Sequence, residues 1–145
     1  MAHSTTASSS PLQSALHLLH RAGQKADSLF AGHVSNALTP RQFAILQAVA
    51  EADGLSQTGI MAATGIDRSS TADLVGRLVS HGWLQRRPTK RDARLYAVRL
   101  SQEGRRVWSH AVPAARATEQ NLLSYLEPTE RAAFIKALAT IAAVA

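Results

Sequence analysis

Apolar residues recur at spacings of three and four along the first part of the chain. Leu12, Ala15, Leu19, Ala22, Ala26, Leu29 and Phe30 form one stripe, which predicts a helix from Pro11 to about Ser35. Leu16, Leu18 and Val34 widen that stripe beyond one face, as expected of a helix with two partners: its own domain and a second subunit. A second helix starts at Thr39, a good cap, with Pro40 at the first helical position. It sets Phe43, Leu46 and Ala50 on one face, with Ile45 and Val49 beside it, and ends at Asp53-Gly54. A short third helix, Gln57–Thr64, is capped by Ser56 and stopped by Gly65. Asp67 caps the fourth, Arg68–His81, which ends at Gly82. Two helices joined through Thr64-Gly65-Ile66 make a helix-turn-helix.

After Trp83 the period changes from helical to alternating. Leu84–Pro88 and Leu95–Leu100 read as two strands around a charged tip, Thr89–Arg94, with Tyr96, Val98 and Leu100 on one face. Ser101 then caps a long helix from Gln102 to about Leu126, and Pro128 opens a last one carrying Ala132, Ile135, Leu138, Ala139 and Ala142. The expected fold is mainly α with a small β-hairpin wing (α+β). Its parts are a disordered Ser/Thr-rich tail (1–10), a dimerisation helix (11–37), a winged helix-turn-helix domain (38–101) and C-terminal dimerisation helices (102–145).

Charge sharpens this picture. Residues 68–106 hold ten Arg and Lys against three acids, so the whole chain's excess of +6 sits in this window and the remainder is slightly acidic. A basic block where a helix gives way to a hairpin is the footprint of a surface that meets phosphate. At 145 residues the chain is one domain with helical extensions. It has no cysteine, which removes disulfides, thiolate metal sites and thiol redox sensing together. No stretch reaches the roughly 18 apolar residues of a membrane span, and the N-terminus lacks a signal-peptide pattern, so a soluble cytoplasmic protein is expected.

Projected at about 100° per residue, the fourth helix turns Thr71, Leu74, Val75 and Leu78 inward and leaves Ser69, Asp73, Gly76, Arg77 and Ser80 outward. The outward stripe is short and polar, and a major groove about 12 Å wide accepts such a helix. Arg68 and Arg77 are candidates for guanine edges or phosphate, with Ser69 and Ser70 able to serve either. Asp73 repels phosphate. It can accept from cytosine N4, or pair with Arg77 one turn on and orient it; the pair is the plainer account. On the wing, Arg87, Lys90, Arg91, Asp92 and Arg94 supply a basic loop able to enter the adjacent minor groove. The competing reading is a solvated charged face.

Three motifs resemble the MarR family of bacterial winged-helix regulators. Leu38-Thr39-Pro40-Arg41-Gln42-Phe43-Ala44-Ile45-Leu46 is similar to its second-helix opening, and Gly65-Ile66-Asp67-Arg68-Ser69-Ser70-Thr71 to its turn and recognition-helix start. Asp92-Ala93-Arg94, followed by Leu100-Ser101-Gln102-Glu103-Gly104, is similar to its wing signature and entry to the fifth helix. The resemblance implies a homodimer on a pseudo-palindromic double-stranded DNA operator, usually as a repressor released by a small ligand. It implies that Arg94 enters the minor groove with Asp92 in support. Asp73 departs from the frequent basic or neutral residue at its position, and the lack of cysteine argues against the peroxide-sensing branch.

Ligands of the family are commonly aromatic carboxylates, held between the dimer helices and the winged domain. His17, His20, Arg21 and Gln24 on the first helix and Trp108 and His110 on the fifth are the candidate contacts, for an aromatic acid or its CoA thioester. The same histidines as plain helix residues, and Trp108 as packing, remain open. No HExxH or Cys/His set is present, so no metal or cofactor is expected. Neither a nucleophile–base pair nor a phosphate-cradling glycine loop is visible, so no enzyme is expected. The rival functions are a winged-helix protein-interaction module and, more remotely, a metal-dependent protein built on the helix histidines.

Overall fold

The computed structural model describes residues 10–89 and 96–143. The expected disordered tail and the wing tip therefore lie, apart from Ser10 and Thr89, outside the described residues. The helices are α1 (Ala15–His33), α2 (Pro40–Glu51), α3 (Gln57–Thr64), α4 (Arg68–Ser80), α5 (Gln102–Leu123) and α6 (Pro128–Ala143). Between α4 and α5 lie β1 (Leu84–Pro88) and β2 (Tyr96–Leu100), an antiparallel pair with Arg86 opposite Val98.

Helix starts follow local chemistry. Thr39 and Gln42 form a reciprocal capping box on α2, and Ser56, Asp67 and Ser101 cap α3, α4 and α5. Gly65 ends α3 with φ +71°, a left-handed turn that side-chain-bearing residues resist. The first helix starts later than the apolar stripe predicts. Pro11–Gln13 is a separate 3-10 turn capped by Ser10, and Ser14 then adopts extended backbone and caps α1 through the His17 amide. Serine at that point offers the backbone a better partner outside the helix than within it. Helix α1 closes at His33 and α5 at Leu123, each a few residues short of expectation.

The core joins Phe30, Leu38, Ile45, Leu46, Val49, Ile60, Val75, Leu78, Leu84, Val98, Val107 and Ala111. On α2 the buried face centres on Ile45, Leu46 and Val49, while Phe43 and Ala50 are only half-buried. Phe43 packs at the edge of the core against Phe30, with ring centroids 5.8 Å apart. A short third strand position was not legible in the sequence: Leu55 bridges Val98 by reciprocal backbone hydrogen bonds of 3.1 and 2.7 Å. A single bridging residue has no periodicity to read.

Outside this core, α1 and α6 carry an apolar face with little covering it. Leu12, Leu16, Leu18 and Leu19 are exposed, and α6 has no buried residue. Leu16, Leu19, Leu122, Phe134, Leu138 and Ile141 line a cavity of about 510 Å³ there. Among the described residues no helix is long and apolar enough to cross a membrane.

Candidate nucleic-acid interface

Helix α4 is placed by its two ends. At the start, Asp67 accepts from the Ser70 amide at 2.8 Å, from the Ser70 hydroxyl at 2.8 Å and from the Ser69 hydroxyl at 3.0 Å. These bonds, the Ser70 amide first, favour the carboxylate and hold its pKa down at about 2. At the end, the Trp83 amide donates to Leu78 O at 3.0 Å, folding the chain back into β1. Thr71, Val75 and Leu78 are buried and Leu74 is half-buried, which leaves Arg68, Ser69, Asp73, Arg77 and Ser80 exposed. The inward and outward faces are those the sequence predicts.

Arg77 Nε donates to Asp73 Oδ2 at 3.0 Å, both side chains being more than half exposed. The acid thus orients the guanidinium along the outer face, in the arrangement expected of residues one turn apart. Ser69 and Ser70 carry a constraint that the sequence alone hides. Each hydroxyl already donates its proton to Asp67, so in this state it can only accept from a base amino group. Donation to a phosphate requires the hydroxyl to turn away from Asp67.

Beside α4 runs an open groove of about 770 Å³ lined by Thr39, Gln42, Asp73, Gly76, Arg77 and Arg86, among others. Gly76 leaves the α4 backbone uncovered along this groove, and a Cβ there would meet only Arg86 Nη2, at 3.9 Å. Arg86 belongs to the basic block of residues 68–106 but is not among the contacts the sequence singles out. It shares the strand face of buried Leu84, which points toward α4, whereas Arg87 lies on the opposite face and donates to Gln85 Oε1 at 3.3 Å. Alternation from Leu84 was the available signal. Lys90, Arg91, Asp92 and Arg94 lie outside the described residues.

The candidate ligand contacts are not gathered within one chain. His17 is half-buried, and His20, Arg21 and Gln24 are exposed on the N-terminal half of α1. Trp108 is half-buried and its indole N–H donates to Gln47 Oε1 at 2.7 Å, joining α5 to α2. His110 Nδ1 lies 2.8 Å from Arg106 O, and His110 shares a cavity of about 240 Å³ with His33, Asn36 and Val107. Among the described residues no three His, Asp or Glu side chains are grouped so as to hold a metal ion.

Comparison with known proteins adds a family and a function class. Residues 38–95 match the model of the MarR family. The chain is 29% identical over 144 residues to the HTH-type transcriptional repressor NicR of Pseudomonas putida, covering 93% of this chain and 91% of that one. The PcaV transcriptional regulator of Streptomyces coelicolor, solved with its natural ligand, superposes with a TM-score of 0.85 at 30% identity, covering 92% of this chain and 96% of PcaV. Bordetella bronchiseptica BpsR, whose DNA binding is regulated by 6-hydroxynicotinic acid, superposes at 0.77 with 29% identity, covering 86% and 96%.

Proposed function

This chain belongs to the MarR family of winged-helix transcriptional regulators, and from that premise we propose that it is a cytoplasmic homodimeric repressor released from its operator by an aromatic carboxylate. The observation that carries the DNA half of this reading is the outward face of α4. It is polar, has Arg77 oriented by Asp73, and is flanked by a groove into which Arg86 extends the positive charge. Such a face fits a major groove, with its N-terminal residues Arg68, Ser69 and Ser70 meeting base edges first. The wing residues Arg87, Lys90, Arg91 and Arg94, with Asp92 beside them, take the flanking backbone and minor groove.

Dimerisation accounts for the uncovered apolar face of α1 and α6. A second copy removes Leu16, Leu19 and Ile141 from water and sets the two α4 helices on one side of the assembly. Reading both half-sites needs those helices about 34–36 Å apart, one turn of DNA. An effector seated between the dimer helices and the winged domain changes that spacing. It acts only through unequal affinity for the two spacings, since equal affinity shifts nothing.

His17, His20, Arg21, Gln24, Trp108 and His110 remain the proposed effector contacts, gathered from two chains or by movement of α1. The relatives support an aromatic acid: BpsR answers to 6-hydroxynicotinic acid. The test is a mobility shift on the DNA upstream of the gene, repeated with hydroxylated aromatic acids and their CoA thioesters. A retarded band that an aromatic acid abolishes is expected. No retardation at low salt overturns the operator reading, and a shift indifferent to every such acid overturns the effector class.

A further inference from the structure

We propose that the outward face of the wing hairpin, where Arg87, Arg99 and Arg105 surround one small cavity, is a binding site for a phosphoryl group. The β1–β2 register pairs Gln85 with Arg99 and Arg87 with Ala97. These side chains therefore point away from the face that carries Leu84, Arg86 and Val98 toward α4. They close instead over the end of α2 and the start of α5, around a cavity of about 200 Å³ that Asp53, Gly54 and Arg105 also line. At about 30 Å³ per water, that space holds one phosphoryl group and a few waters.

The charge in this cavity is unbalanced. Three guanidinium groups face one carboxylate, Asp53, and among the described residues none of the four makes an ion pair. The contrast with the next residue is informative: Arg106 is held by Glu103, while Arg105 is not held. Arg105 sits in the first turn of α5, at the positive end of the helix dipole, where a cation is disfavoured and an anion is favoured. Gly54 leaves room for the arrangement. Its φ is +101°, and a Cβ there would lie 3.3 Å from Arg99 Nε. Several guanidinium forks around one small polar cavity match a multiply charged tetrahedral anion better than a flat aromatic acid.

The phosphoryl group has two sources: the backbone of flanking DNA, or a free phosphorylated small molecule. Pyrophosphate titrated into the full chain by calorimetry, alongside the salt dependence of duplex binding, separates them. Pyrophosphate is expected to saturate the wild type at one per chain, and Arg99→Gln/Arg105→Gln to weaken it at least tenfold. Asp53→Asn is expected to tighten it, a gain that a folding defect cannot imitate. If backbone phosphate is the source, the double variant also loses about 0.9 from the slope of log K against log salt per lost phosphate contact, and pyrophosphate competes with DNA. If a free molecule is the source, that slope is unchanged while pyrophosphate binding is lost. The proposal is overturned if wild type does not take up pyrophosphate and the slope is unaltered. It is equally overturned if a double variant melting like wild type binds pyrophosphate as well as wild type does. Neither result bears on whether α4 reads an operator.

Discussion

Gly104→Ala tests how α4 is tied to the long helix α5. The start of α5 lies directly on the chain just after α4. A Cβ on Gly104 would fall 1.8 Å from Trp83 O and 2.7 Å from Trp83 C, backbone atoms that cannot rotate away. Separating them pulls on three bonds at once: Ser101 N–H to Trp83 O at 3.0 Å, the Ser101 hydroxyl to Gly82 O at 2.5 Å, and the Gly104 amide to Ser101 Oγ at 2.9 Å. Overpacking a rigid contact costs up to about 3 kcal/mol, and one buried hydrogen bond lost adds about 1 kcal/mol. Alanine in place of glycine returns about 1 kcal/mol of helix propensity. The net loss is about 3 kcal/mol, or a fall in Tm of about 10 °C for a chain of this size. The assay is thermal and urea unfolding at one fixed protein concentration, because the midpoint of any self-associating chain moves with concentration. Gly32→Ala is the control. That residue lies in α1 with nothing within 4 Å of its Cβ position, and it should be neutral or slightly stabilised. A Gly104→Ala protein as stable as wild type would refute the reasoning.

Further outcomes follow from the same geometry. Arg77→Ala removes an exposed charge and should leave the unfolding free energy within about 0.5 kcal/mol of wild type while weakening operator binding about tenfold or more, read by fluorescence anisotropy. Unchanged affinity would remove Arg77 from the interface. Leu16→Glu/Leu19→Glu should yield monomers by sedimentation and lose operator affinity; a stable dimer would place the subunit contact elsewhere. Asp67 is ionised down to about pH 2 in the folded chain, below its unfolded value of about 3.9. Its contribution to stability is therefore complete above about pH 5 and lost as pH falls through 4 toward 2. Asp67→Asn should flatten the acid limb of a stability–pH curve, and an unchanged limb would show that the cap does not set it.

The legible parts of this molecule were those fixed by nearest-neighbour chemistry. Thr39, Ser56, Asp67 and Ser101 each announce a helix start because a short oxygen side chain satisfies an amide two or three residues on. The inner face of α4 was legible because Thr71, Val75 and Leu78 repeat at helical spacing. Ser14 misled because a long apolar stripe runs across it, while its hydroxyl favours a break. Arg86 and Arg87 differ only in strand parity, and a charge count cannot tell which faces α4. The protons of Ser69 and Ser70 were invisible because the sequence shows the residues but not that Asp67 accepts from both. Helical spacing places His17 and His20 on α1 but does not show which α1 histidine meets α5: the one that shares a cavity with His110 is His33.

The central claim is that two copies of α4 read one face of a duplex. Hydroxyl-radical footprinting of the purified protein on its upstream DNA tests this most directly. Two protected patches about 10 bp apart, centred on a pseudo-palindrome and lost together with Arg77→Ala, are the predicted result. A single patch, or protection that survives that substitution unchanged, would contradict the account.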